Sequence, residues 1–217
     1  GADAAIDQSG AGALEFSGTV SGNRNVVTHK LILKGSTAGI ISGLISDGTG
    51  ATAITKDGTG AWTLTAADTY TGATVVNGGT LVLSGANGAI TSSSGQTISG
   101  GGALTLDNTA NNNANRLKNT GTNTMDGGTF NFNINTGSGS YSEAAGGLNI
   151  SSGANTINTL QAANGQSSIL TFTNLTRSSG TVNFVGVGLG SAGDARNRVL
   201  IGGLADGPIG WWATVNG

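Results

Sequence analysis

The side chains that could support hydrolytic or lytic chemistry in this chain are its carboxylates, and they are scattered. Enzymes that cleave polysaccharides gather two or more carboxylates, or a base beside acidic metal ligands, on one face of the fold. Only stacking of distant segments could gather these acids, and the 19-residue separation of Asp107 and Asp126 permits that pair to meet. The spacing therefore predicts no catalytic residue. The eleven acids are Asp3, Asp7, Glu15, Asp47, Asp57, Asp68, Asp107, Asp126, Glu143, Asp194 and Asp206.

Histidine offers one further candidate for chemistry, because His29 is the only histidine in the chain. A single histidine precludes a metal site built from several histidines, and the chain has no cysteine to complete one. A serine triad would have to use His29, yet no Gly-x-Ser-x-Gly elbow accompanies it. We expect His29 to be an exposed strand residue, and we expect no metal and no cofactor.

Glycine-rich motifs suggest ligand binding at three places. Gly188-Leu-Gly190-Ser-Ala-Gly193 matches the dinucleotide motif G-x-G-x-x-G, with Asp206 placed for a ribose contact. A dinucleotide fold also needs alternating strands and long helices, so we interpret this stretch as a wide turn. Asp47-Gly-Thr-Gly50 and Asp57-Gly-Thr-Gly60 suggest the calcium turns of nonapeptide repeats, but the order Gly-Gly-x-Gly-x-Asp is absent. We expect structural turns there, with a loosely bound surface ion as the alternative.

Composition excludes several classes of partner. The net charge is -2, only 9% of the residues are charged and 36% are apolar, which indicates a folded chain with an uncharged polar surface. No electrostatic field is available to gather nucleic acid or anionic lipid, so we expect neither nucleic-acid nor membrane contact. The nearest approaches to basic clusters, at Lys30 and Lys34 and at Arg196 and Arg198, are expected to be solvated. The lack of cysteine is compatible with export.

The elements that must position these residues are short strands. Helix signals are nearly missing, and Ala192–Leu200 alone offers a helical turn or two. Strand-like apolar pairs recur instead, about every 21 residues between Leu14 and Val182, whereas an antiparallel sandwich has a strand about every 8 to 12 residues. Each pair puts two apolar side chains on one face, so that Thr105, between two leucines, should face solvent. The predicted core stack is Leu14, Leu31, Trp62, Leu64, Leu81, Leu83, Leu104, Leu106, Phe130, Phe132, Leu148, Ile150, Leu170 and Phe172.

This interval is the coil length of a parallel β-helix. Successive coils of such a fold stack at about 4.8 Å, so that apolar pairs form one narrow core and outward Thr and Asn form ladders between coils. We predict an all-β fold, a parallel β-helix or β-solenoid of about 8 to 10 coils, each of roughly 20 to 25 residues. No linker-like composition divides the chain, so we expect a single segment over 1–217.

An internal repeat supports this architecture. Val76-Asn-Gly-Gly-Thr-Leu-Val-Leu83 reappears as Met125-Asp-Gly-Gly-Thr-Phe-Asn-Phe132, and more loosely as Ile98-Ser-Gly-Gly-Gly-Ala-Leu-Thr-Leu106. Repetition of one short unit is typical of solenoids, in which each unit buries its apolar face only against its neighbours. We therefore expect the three copies to occupy equivalent positions in three coils.

Residues 58–85 carry a family resemblance. Gly58-Thr-Gly-Ala-Trp-Thr-Leu64, then Asp68-Thr-Tyr-Thr-Gly72, then Val76 to Gly85 with its Asn-Gly-Gly-Thr turn, resemble the autotransporter-associated β-strand repeat of bacterial surface proteins. The resemblance implies a right-handed β-helix, export, and display at the outer surface of a bacterial cell or outside it. It brings no catalytic residue, because the repeat has none.

The sequence thus predicts a non-enzymatic structural or adhesive segment. A polysaccharide-binding or polysaccharide-degrading β-helix is the alternative. Trp211 and Trp212 are neighbours on a strand-like stretch, so one of them must face outward, as a cap, an interface or a platform for sugars. Because no capping helix is visible at either end, we expect a processed chain or part of a longer one, with at least one end continuing into further coils or onto another copy, which would grow filaments. The expected partners are the chain itself and surface glycans.

Overall fold

The computed structural model describes residues 3–22, 27–135, 139–160, 166–189, 197–204 and 209–216, and every element in them is a strand. The first coils contain β1 (Ala4–Asp7), β2 (Leu14–Phe16), β3 (Val20–Gly22), β4 (His29–Lys34), β5 (Gly39–Ile41) and β6 (Ile45–Asp47). The middle coils contain β7 (Thr52–Lys56), β8 (Ala61–Leu64), β9 (Thr74–Val76), β10 (Thr80–Leu83), β11 (Gln96–Ser99) and β12 (Ala103–Asn108).

The remaining strands complete the chain. They are β13 (Thr122–Asp126), β14 (Thr129–Ile134), β15 (Ser140–Ala144), β16 (Gly147–Ser152), β17 (Ala154–Thr159), β18 (Ser167–Phe172), β19 (Leu175–Arg177), β20 (Thr181–Val185), β21 (Asn197–Ile201) and β22 (Ala213–Val215). The described residues contain no helix long and apolar enough to cross a membrane.

All the pairings between these strands are parallel, and they form a solenoid with two long faces. Face A has eight strands in the order β1-β4-β7-β9-β11-β13-β16-β19, so that about seven turns separate its first and last strands. Face B has nine, in the order β2-β5-β8-β10-β12-β14-β17-β20-β22. A third side, between the end of face B and the next strand of face A, is a sheet only near the two ends, as β3-β6 and as β15-β18-β21. The prediction of an all-β parallel solenoid is confirmed.

The three copies of the internal repeat occupy equivalent positions. Val76 pairs with Ile98 and Ile98 with Met125 on face A, and Leu81 pairs with Leu104 on face B. Leu104 in turn pairs with Phe130. These side chains are fully buried, so each rests on an apolar neighbour one coil away. The three copies therefore align residue by residue, and the repeat sets the register in which successive coils stack.

The turn between face A and face B explains the paired glycines of the repeat. Gly58 and Gly79 have positive φ angles of 75° and 58°, which side-chain-bearing residues rarely adopt. A Cβ atom at Gly79 would lie 2.4 Å from the carbonyl oxygen of Gly60, one coil earlier. Glycine is thus required both by the turn and by the close approach of successive coils.

The predicted core residues are buried, but they do not form one series. Leu14 is partly exposed on the edge strand β2, and the other thirteen are at most 5% exposed. Trp62, Leu81, Leu104 and Phe130 follow one another on face B, whereas Leu31 and Leu148 lie on face A, and Leu170 lies on the third side. Every face carries its own alternating apolar pairs, so the sequence alone does not show to which face a pair belongs.

The coil length also varies more than expected. Paired residues on face B are 19 apart between Trp62 and Leu81 and 31 apart between Val182 and Ala213. The longer coils have a strand or a loop added on the third side, where the chain can lengthen without disturbing the stack on faces A and B. The predicted 20 to 25 residues therefore hold only for part of the solenoid.

Three local predictions were wrong. Residues 197–200 at the end of the proposed helical stretch lie in strand β21, and 192–196 lie outside the described residues. His29 is 8% exposed, because it lies on the same inner face of β4 as Leu31. Thr105 points away from the core but is only 7% exposed, because its hydroxyl accepts a hydrogen bond of 3.1 Å from Asn131 in the next coil.

Stability should depend on the inward columns far more than on the outward ones. Leu104→Asp would place a charge in the fully buried column, which costs several kcal/mol without a partner, and should unfold the neighbouring coils. Thr63→Asp, on the partly exposed outer side of β8, should cost less than about 1 kcal/mol. Urea unfolding followed by circular dichroism measures both variants. Equal losses at the two positions would contradict the assigned faces.

Candidate functional site

The carboxylates that might have formed a catalytic cluster do not converge. Asp107 lies on β12 in face B and accepts hydrogen bonds from Ser84 and Thr109. Asp126 lies at the end of β13 in face A, where it accepts a hydrogen bond from Ser152. The suggested meeting of Asp107 with Asp126 was therefore wrong, because a 19-residue separation does not match the local coil length. The described residues contain no group of three or more His, Asp or Glu that could hold a metal ion.

The two Asp-Gly-Thr-Gly turns are held by protein groups. One oxygen of Asp47 accepts hydrogen bonds from the backbone N–H of Thr52 at 2.7 Å and of Thr71 at 3.0 Å, and the other accepts one from the Thr71 hydroxyl. These bonds lower the pKa of Asp47, although partial burial opposes them. Asp57 accepts a hydrogen bond of 2.9 Å from the Asn77 amide in the next coil. Both acids thus tie one coil to the next.

The ladder that begins at Asp57 extends over three coils. The amide of Asn77 donates to Asp57, and its oxygen accepts a hydrogen bond of 2.9 Å from the hydroxyl of Ser99. These residues occupy one position of the turn in successive coils, outside the apolar column of Val76 and Ile98. On this exposed edge of face A, which has few charges, neutral side chains such as Asn77 and Ser99 therefore provide the hydrogen bonds between coils.

Charged side chains inside the solenoid were not anticipated. Lys56 is fully buried and lies in the inward column of face A, between Leu33 and Val76. Its ammonium donates to the backbone oxygens of Asp57, Gly58 and Gly78 at 2.6 to 3.1 Å. Burial lowers the pKa of Lys56. The alternation of Thr52 to Lys56 already placed this lysine on the apolar face, and that signal could have found it.

Arg116 and Glu143 anchor the loop over 109–121 on the third side. The guanidinium of Arg116 donates to the side chain of Asn108 and to the backbone oxygens of Gly85, Gly88, Asp107 and Asn111. Glu143, from β15 in the next coil, accepts the backbone N–H groups of Arg116 and Leu117 at 2.9 to 3.0 Å. Burial is the main cause that raises the pKa of Glu143, to about 7.

Asp68 makes a similar connection between coils earlier in the chain. Its side chain is 2% exposed, and one oxygen accepts the backbone N–H of Ile45 at 2.8 Å. The other oxygen is buried without a hydrogen-bond partner among the described residues. Burial raises the pKa of Asp68 to about 7. The nearby Tyr70 hydroxyl is bonded to Thr74 instead, at 2.7 Å.

The two consecutive tryptophans have different environments. Trp211 is 85% exposed, whereas Trp212 is partly buried and packs against the core. The guanidinium of Arg177 lies 4.9 Å from the ring centroid of Trp212 and 5.8 Å from that of Trp211. Its Nε donates to the backbone oxygen of Gly180 at 2.7 Å. An exposed indole beside a fixed cation is the one described surface with the chemistry of a sugar-stacking platform.

The dinucleotide-like motif is described only in part. Gly188 and Leu189 lie in a turn after β20, while 190–193 and Asp206 lie outside the described residues. The strand before this turn leads into another strand, β21, as in the rest of the solenoid.

Comparison with known proteins identifies one repeat. Residues 54–83 match the family model described as the passenger-associated-transport-repeat, and they comprise β8, β9, β10 and most of β7. No curated protein and no solved structure matches the chain. The fold is a β-solenoid that contains one repeat of the passenger-associated kind, and the resemblance of this segment to the autotransporter passenger repeat is confirmed. Lys56, Trp62 and Tyr70 all lie within the matched residues.

The buried acids predict an unusual dependence of stability on pH. The folded pKa values of about 7 for Asp68 and Glu143 exceed ordinary values of 3.8 and 4.5, so the folded state binds their protons more tightly. Their contribution to stability is complete below about pH 4 and is lost as pH rises through 7. The free energy of unfolding should therefore be larger at pH 5 than at pH 7.5, by on the order of 1 to 2 kcal/mol for each group. The melting temperature should be higher at pH 5 for the same reason.

Variants separate these two acids from the exposed ones. Asp68→Asn and Glu143→Gln keep the shape of the side chains but remove the titration, so each should reduce the difference in melting temperature between the two pH values. Asp57→Asn, at an exposed ladder position, should leave that difference unchanged. If all three variants kept the wild-type dependence, the assignment to the buried acids would be wrong.

Proposed function

We propose that this chain is a non-enzymatic structural segment of an exported bacterial protein, at the cell surface or outside the cell. The passenger-type repeat and the solenoid support the class, because both fit an autotransporter passenger segment. Its work is mechanical: a stiff rod holds other parts of the protein, or further copies, at a distance from the surface and presents a side face for adhesion.

The observation that carries the proposal is that the carboxylates are engaged in hydrogen bonds between coils. Asp47, Asp57, Asp68, Asp126 and Glu143 each accept hydrogen bonds from a neighbouring coil. A general acid or base must instead be free to reach a substrate proton. These carboxylates therefore support a role in holding the coils together.

The dimensions suit a spacer. Nine parallel strands on face B, at about 4.8 Å each, give a rod on the order of 40 Å long. Its stability is a sum over neighbouring coils and does not depend on one globular centre, so additional coils lengthen the rod without a new core. The outer side of face B between Ala61 and Val185 carries one acid, Asp107, and otherwise uncharged residues such as Thr63, Thr129 and Asn158, a surface suited to weak, repeated contacts in adhesion.

The proposal predicts no turnover of polysaccharides. When the chain is incubated with pectins and other acidic glycans, the release of unsaturated or reducing ends should equal that of a heat-denatured sample. Steady release above that background would overturn the non-enzymatic proposal. The variant Asp107→Asn would then show whether the partly buried acid on face B is responsible.

Glycan binding is the second candidate, and Trp211 with Arg177 favours it. An acidic sugar could stack on the exposed indole and pair with the guanidinium, each contributing on the order of 1 kcal/mol. Trp211→Ala should weaken binding to acidic glycans about fivefold or more on an array or by calorimetry. Val187→Ala removes another exposed apolar side chain and is the matched control. Equal binding by both variants would exclude the platform.

A further inference from the structure

The outer side of face B carries two parallel columns of small side chains, which we call the face B array. From β8 to β20, each strand of this face alternates between buried inward residues and outward residues, most of which are partly exposed. The outward residues of these six strands pair in register. The first column is Ala61, Thr80, Ala103, Thr129, Thr156 and Asn183, and the second is Thr63, Val82, Thr105, Asn131, Asn158 and Val185.

The face B array combines methyl groups with neutral hydrogen-bonding groups. It contains five threonines, three asparagines and four alanines or valines, and no charged, aromatic or long side chain. Threonine and valine are branched at Cβ, so their side chains have little rotamer freedom. The amide of Asn131 is fixed as well, because it donates to the Thr105 hydroxyl at 3.1 Å. The one acid on this side, Asp107, lies beyond the second column and is bonded to Ser84 and Thr109.

The array is regular in two directions. Successive coils are about 4.8 Å apart, and residues two apart on one strand are about 7 Å apart. The pairings from β8 to β20 on face B keep one register throughout, whereas face A has a shift after Met125 where β13 pairs with β16. The face B array is therefore a two-dimensional lattice of methyl and hydrogen-bonding groups.

The size and composition of this lattice favour a solid surface as its partner. The array measures about 25 Å by about 7 Å, which is well below the roughly 800 Å² that each partner buries in a stable protein interface. Sugar rings stack on aromatic side chains, and the array has none. A crystal surface repeats its contacts at every lattice point, so that many weak contacts act together.

The spacings and the chemistry of the array match ice. Distances of about 4.8 Å and about 7 Å are close to the repeats of oxygen atoms on the prism face of ice. Methyl groups order the water around them, and hydroxyl and amide groups form hydrogen bonds to that water. None of these groups exerts the strong local field with which an ion reorients water. Water over the array can thus keep the arrangement that it has in ice.

We propose that the outer side of face B, between β8 and β20, binds ice. This activity goes beyond the proposed structural function and belongs to the side of the rod, between Ala61 and Val185. Bound molecules block growth of the crystal where they sit, so the ice front must bulge between them. A curved front melts more readily than a flat one, and the freezing temperature therefore falls below the melting temperature.

Thermal hysteresis, the gap between the melting and freezing temperatures of a single ice crystal, measures this activity. The folded wild-type chain should give a hysteresis that rises with concentration, and it should shape the crystal. Thr129→Lys places a long charged side chain in the middle of the array and should reduce the hysteresis about tenfold. Thr129→Tyr is neutral but should have a similar effect, because its ring would lift the neighbouring residues off the ice.

Thr97 provides the matched control, on the outer side of face A. It pairs with Thr124 in a single outward column, and the neighbouring column on the turn holds the ladder of Asp57 and Asn77. The same two substitutions, Thr97→Lys and Thr97→Tyr, should therefore leave the hysteresis at the wild-type value. Circular dichroism confirms that each variant is folded.

The possible results separate this proposal from the proposed function. A folded wild-type chain whose hysteresis equals that of buffer would overturn the ice-binding proposal and leave the structural role standing. Equal losses at Thr97 and Thr129, or full hysteresis in Thr129→Lys, would also overturn it. Loss of the solenoid spectrum in the wild-type chain would instead contradict the proposed function itself.

Discussion

The structure depends on one constraint, the stacking of parallel coils at a spacing of about 4.8 Å. At that distance each side chain lies against the residue one coil away, so neighbouring coils must agree position by position. Apolar columns such as Val76, Ile98 and Met125 satisfy the constraint inside, and the ladder of Asp57 and Asn77 satisfies it outside. The frequent glycines follow from it too, because side chains cannot fit where turns of adjacent coils approach.

The third side shows how the solenoid accommodates irregularity. The middle coils have loops in place of strands there, and their backbone groups need partners that a sheet would otherwise supply. Arg116 donates to loop carbonyls and Glu143 accepts loop N–H groups, while Asp68, itself in a loop, accepts the N–H of Ile45 in strand β6. Burying charged side chains in place of a regular sheet costs free energy, because each charged group loses its hydration. It does, however, fix the loops in one arrangement, and it makes the stability of these coils depend on pH.

The sequence was sufficient where the pattern is local and repeated. The alternation and the Asn-Gly-Gly-Thr turn indicated the solenoid and aligned Leu81 with Leu104 correctly. The sequence was insufficient where a contact depends on the length of one particular coil, as for the expected meeting of Asp107 with Asp126. It was also insufficient where a residue of the next coil covers an outward side chain, as Asn131 covers Thr105. Arg116 and Glu143 could not be paired from the sequence, because 27 residues and a loop of irregular length separate them.

The most direct test of the stacking register is disulfide formation, which the absence of native cysteine makes clean. Thr97 and Thr124 are register partners on the outer side of face A, at a spacing that suits a disulfide. The double variant Thr97→Cys and Thr124→Cys should therefore oxidise almost completely to an internal cross-link, measured by mass spectrometry of the digested protein. The control pair is Thr97→Cys with Thr122→Cys, where Thr122 lies two residues before Thr124 on β13. It should cross-link poorly, because the Cα atoms of residues 97 and 122 are about 8 Å apart. Equal cross-linking of the two pairs, or none of the first, would contradict the register on which the account rests.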